Sequence, residues 1–127
     1  MKSVYKVVLA VLAVAGFFFA VQPAVAHHSG AEFMDQVKEI TGTIKEFQFK
    51  NPHTWIQVVV ENPRGEKEEW SVEWGAPNSL ARQGYRPSTF PAGAKVVMRI
   101  HPMRSGAPAG GFVAAKFPDG KMVGKWE

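Results

Sequence analysis

The sequence has 127 residues, no Cys, and 15 basic against 11 acidic side chains, for a formal net charge of +4. That length fits one domain, and without Cys there are no disulfides, no thiolate metal ligands and no Cys redox chemistry. Lys and Arg are interleaved with Glu rather than clustered, which argues against a nucleic-acid partner.

Met1 to Lys6 is a short basic start. Val7 to Val21 is an unbroken apolar run of fifteen residues, and Pro23 and Ala24-Val25-Ala26 follow it. A basic start, an apolar stretch and small residues at −3 and −1 form the pattern of a secretory signal with cleavage after Ala26. The run is short of the roughly 20 apolar residues that span a bilayer. The expectation is therefore a signal peptide over 1–26 and a periplasmic or secreted protein, which meets a membrane only through the uncleaved signal. Loss of Lys2 and Lys6 leaves 13 basic against 11 acidic residues, and the charge falls from +4 to +2. The mature chain would begin at His27.

Residues 27–36 read as an extended lead-in, with Phe33 and Met34 as candidates for docking on the body. The domain itself is expected over 37–127. Val37 to Phe49 is a long first strand whose apolar parity switches from Ile40 and Ile44 to Phe47 and Phe49, the mark of a bulge. Asn51-Pro52 is a turn. His53 to Glu61 is a strand rich in β-branched residues, and Asn62-Pro63-Arg64-Gly65 turns into a third strand, Lys67 to Trp74. There Trp70, Val72 and Trp74 face one way and Glu69, Ser71 and Glu73 the other. Pro77 to Gln83 reads as a short helix with Leu80 facing inward and Gly84 ending it. Ala94 to His101 is a fourth strand, Pro102 to Gly111 a small-residue loop, and Phe112 to Phe117 a fifth strand. Asp119-Gly120 turns into a sixth, Lys121 to Trp126. Three strands, a helix and two or three more strands give an all-β class with one short helix. The expected fold is a five- to six-stranded OB-like Greek-key barrel, with an open β-sandwich as the alternative.

Several stretches carry a resemblance: His27-His28-Ser29, Thr41-Gly42-Thr43-Ile44, Asn51-Pro52-His53-Thr54-Trp55-Ile56 and Glu73-Trp74-Gly75-Ala76-Pro77-Asn78-Ser79-Leu80. Arg82-Gln83-Gly84-Tyr85 and Pro118-Asp119-Gly120 extend it. The chain resembles a group of small exported bacterial proteins, a domain of unknown function with an OB-like barrel. The resemblance implies an exported, barrel-like, non-enzymatic domain and supplies no activity.

The four histidines, His27, His28, His53 and His101, all lie beyond the expected cut, at element ends where sites form. One reading is a copper site. A terminal His27 carries an α-amine and an imidazole that chelate one metal. An imidazole from His53 or His101 would complete the nitrogen set that suits Cu(II). Asn51 or Glu73 would orient an imidazole from behind. Met103, and more weakly Met34, would serve Cu(I). The other reading is a metal-free module that binds a periplasmic protein or a small ligand through loops or an aromatic face of Trp55, Trp70 and Trp74. No enzyme is expected. Glu46 and Glu73 form no evident acid–base pair, no Ser lies in a nucleophile elbow, and Gly106 to Gly111 lacks the Lys of a phosphate loop.

Overall fold

The computed structural model describes residues 32–126. Residues 1–31, which include the expected signal segment, His27 and His28, lie outside the described residues. Six strands form along the chain: β1 (Lys38–Gln48), β2 (Trp55–Glu61), β3 (Lys67–Glu73), β4 (Lys95–Pro102), β5 (Ala109–Lys116) and β6 (Met122–Gly124). Between β3 and β4 lie one helix, α1 (Pro77–Arg82), and a 3₁₀ turn, Pro87–Thr89. The strands pair in the order β3-β2-β1-β4-β5-β6, and a parallel β3–β5 pairing closes the first five into a barrel. This is the OB-like barrel, with β6 added to β5 by the tight turn at Asp119-Gly120. The open sandwich is excluded by the closure.

Alternation drives the closure. Ile40 and Ile44 on β1, Ile56 and Val58 on β2, and Val96, Met98 and Ile100 on β4 point inward and are buried. The parity switch in β1 is a bulge between Ile44 and Glu46 in its pairing with β2. Past it, Phe47 packs against the core instead of facing away. One long strand thereby serves both sides of the barrel. Leu80 of α1 is buried, and Gly84 ends the helix with a φ of 93°, a value that favours glycine. Thr89 accepts a hydrogen bond at Oγ1 from the Arg86 amide, which fixes the turn that delivers Phe90 into the barrel. Every buried side-chain nitrogen and oxygen among the described residues has a partner.

Three strands differ from the sequence reading by two residues or more at one end. β2 starts at Trp55 rather than His53. His53 sits just ahead of it, after a cis Asn51–Pro52 peptide. β5 starts at Ala109 rather than Phe112, so the small-residue loop is shorter than expected. Gly110 and Gly111 belong to the strand because they are where other groups come close. A Cβ on Gly110 would lie 2.6 Å from the His101 carbonyl oxygen and 2.9 Å from Ile100 Cδ1. β6 is three residues long, not six. The three tryptophans do not form one face, because only Trp70 and Trp74 turn toward the core. Trp70 is buried in the core and Trp74 packs against it, while Trp55 lies on the opposite, outward parity of β2.

Candidate functional site

The site begins with a row of residues across four strands. Trp55 on β2 pairs with Glu73 on β3, Glu73 with Gly111 on β5, and Gly111 with His101 on β4. Adjacent strands lie about 4.8 Å apart, so Glu73 and His101 stand roughly 10 Å apart at the backbone. Gly111 between them has no side chain to fill the gap. His53 lies two residues before Trp55 and shares its side of the sheet, which makes it the diagonal neighbour of Glu73. Thr54 holds that stretch down. Its amide and hydroxyl both donate to the Gly75 carbonyl, and its own carbonyl accepts from the Trp74 amide.

A cleft of about 400 Å³ results, lined by His53, Glu73 and His101 with the aromatic residues Phe33, Trp74 and Phe112. Both histidines are oriented from behind. His53 Nδ1 lies 2.6 Å from Glu73 Oε1. His101 Nδ1 lies 3.2 Å from the Gln36 carbonyl oxygen. A carboxylate and a carbonyl can only accept, so each contact requires an Nδ1–H and leaves the Nε2 lone pair of a neutral ring uncommitted. The His53 side chain is 42% exposed and that of Glu73 only 15%. The anchor is therefore the more enclosed partner and the imidazole the more accessible one. Trp74, in tilted ring contacts with Phe112 at 4.4 Å and Tyr85 at 4.7 Å between centroids, forms an apolar wall behind them.

Sequence reasoning named His53, His101, Glu73 and Trp74, and these converge on the cleft. It also named Asn51, Met103, Met34, Trp55 and Trp70, which do not line it. Met103 instead pairs with Phe33 in a short bridge. His27 and His28 lie outside the described residues. Phe33, Phe112, Gly111 and the Gln36 carbonyl were missed. Phe33 and Met34 were expected to dock on the body, and they do. Among the described residues, no group of three or more His, Asp or Glu side chains is placed to hold a metal ion. A larger groove of about 520 Å³ lies at the other end of the barrel, between Lys67 and Lys95, and contains no histidine.

The fold and this cleft define a small OB-like barrel with a two-histidine, aromatic-walled site at one end. The chain belongs to a family of unknown function (DUF6152), whose model matches residues 16–112. The match starts within the apolar run and stops in β5, so it covers the histidine cleft and leaves out β6. No curated protein and no solved structure matches the chain.

Proposed function

We propose that the protein is exported and non-enzymatic and binds copper between its mature terminus at His27 and the imidazoles of His53 and His101. The observation that carries this is the shared cleft of His53 and His101, each with its Nδ1 tied to an oxygen and its Nε2 uncommitted. That is how ligating histidines are held. Two imidazoles are too few to hold copper firmly, and the described residues offer no third ligand group. The α-amine and imidazole of His27 would supply the rest and give the nitrogen-rich set that Cu(II) favours. Glu32 is five positions on from His27, a reach of at most about 18 Å, and Phe33 already stands in the cleft wall. In this reading the role is carriage or sensing in the periplasm.

The test uses chain cut to begin at His27, verified by intact mass. It is expected to take up one equivalent of Cu(II). Acetylation of the His27 α-amine weakens binding by tenfold or more, at least what loss of a ligand's outer partner costs; unchanged affinity overturns chelation by the terminus. His53→Ala and His101→Ala are expected to weaken it as well. The apolar wall of Phe33, Trp74 and Phe112 favours a second reading, a metal-free module holding a small ligand or a protein segment. Under that reading His27→Ala and His53→Ala leave function intact, whereas changes along the wall do not.

A further inference from the structure

We infer that the cleft takes a small organic cation, a protonated amine on an aromatic body; this rests on the metal-free reading above and uses only residues from Phe33 onward. The charge of the lining points there. Glu73 is the one carboxylate of the lining, and no Lys or Arg stands beside it there. Its side chain is 15% exposed, and its ionic partner among the described residues is the imidazole of His53, 2.6 Å away. With that ring neutral, the contact is a hydrogen bond and leaves the negative charge uncompensated. An enclosed carboxylate in that condition favours a cation beside it. The histidines do nothing to attract an anion. Each spends its Nδ1–H on an oxygen, Glu73 Oε1 for His53 and the Gln36 carbonyl for His101. A neutral ring then has only an acceptor left, so neither histidine offers an anion an N–H.

The walls fit the same ligand. Phe33, Trp74 and Phe112 line the space. Aromatic rings attract a cation to their faces and pack against a flat apolar body. Phe33 lies over Gly111, where a Cβ would come within 3.2 Å of its Cδ2. Its ring thus occupies the row that joins Glu73 to His101, next to the carboxylate. The cleft holds about 400 Å³, within the range of small-molecule sites. The chain as a whole is positive, at +4, so its long-range field would draw an anion. A preference for the cation would therefore report Glu73 and not the surface at large.

The experiment titrates metal-free chain beginning at His27, with a chelator present. At about pH 8 the imidazoles are neutral and the amine is protonated. The probes are phenethylammonium, phenethyl alcohol and phenylacetate, which share a ring and differ in the charge of the head group. Binding is read from tryptophan fluorescence and from the ¹⁵N shifts of the His53 and His101 rings. The amine is expected to bind about tenfold tighter than the alcohol or better, as a hydrogen bond to a charged group allows, with phenylacetate weakest. Glu73→Gln is expected to bring the amine to within about twofold of the alcohol, whose own affinity stays the same. The ranking of the probes on unmodified chain stands even if that variant fails to fold. An alcohol bound as tightly as the amine, or phenylacetate bound tightest, overturns the cation and leaves the small-ligand reading standing. An amine preference that survives in folded Glu73→Gln places the cation away from the cleft and overturns the inference. Binding of none of the three removes the cleft as a site for small ligands, and the inference with it.

Discussion

Glu73 is the residue on which the chemistry of the cleft turns. Its carboxylate is mostly enclosed, and Oε1 lies 2.6 Å from His53 Nδ1. It therefore selects the tautomer that presents Nε2 and holds the ring at a fixed angle. Glu73→Gln keeps the shape and removes the charge that polarises the imidazole. Under the copper reading, the expected result is a 10- to 100-fold loss of Cu(II) affinity, the usual effect of removing such a partner. In copper-free chain, long-range ¹H–¹⁵N spectra are expected to show His53 as the Nδ1–H form, and a mixture of tautomers in Glu73→Ala. Affinity within twofold of the unmodified chain, together with an unchanged tautomer, would remove Glu73 from the site. The residue types that carry this chemistry were legible in the sequence, because His and Glu announce what they can do. The carbonyl of Gln36 was not legible, since every residue has one and only the tertiary course of the chain aims it at His101.

At the scale of elements, side-chain alternation made β3 readable. Trp70 and Val72 point inward while Glu69 and Glu73 do not, as Lys67 to Trp74 reads. The first half of β5 defeated the same method because Ala109, Gly110 and Gly111 carry almost no side chain to alternate. Their place in a strand is dictated by neighbours distant in sequence. β3 runs parallel to them at Ser71 to Glu73, and β4 lies against them at His101 and Pro102. Gly110 is the close-packed point of that junction, and its backbone does not have the positive φ that would by itself exclude alanine. Gly110→Ala is therefore a test of crowding. The methyl group would meet the His101 carbonyl oxygen, which cannot move without parting β4 from β5. Overpacking of this kind costs about 1–3 kcal/mol. In a domain of this size that lowers the melting temperature by roughly 10 °C, read by circular dichroism. A melting temperature unchanged within 2 °C or so, small on that scale, would mean that the barrel seam is looser than its geometry implies.

For the whole molecule, stability rests on burial alone, since no disulfide closes any loop. The barrel is plugged by one ring, Phe90, which is 1% exposed. It contacts Phe47 at 5.2 Å, Trp74 at 6.0 Å, Phe112 at 5.7 Å and Phe117 at 5.8 Å, centroid to centroid. Two of those four rings, Trp74 and Phe112, also form the wall of the histidine cleft. The core and the site are therefore one packed body, and a defect at Phe90 reaches the cleft without touching a histidine. Phe90→Ala removes a buried ring from a closed space, at a cost of about 3–5 kcal/mol. Small domains hold only about 5–15 kcal/mol in total, so the variant is left near its threshold. Urea unfolding is expected to show a midpoint lowered by more than 1 M, taking a slope of about 1–3 kcal/mol per molar. The slope itself should stay the same, because the surface exposed on unfolding changes little. Phe90→Leu fills part of the space and is expected to fold, yet to lose near-ultraviolet dichroism as Trp74 and Phe112 gain freedom. If Phe90→Leu instead keeps the full aromatic signal, the wall of the cleft is held by β3 and β5 alone, and the coupling of core to site through Phe90 is wrong.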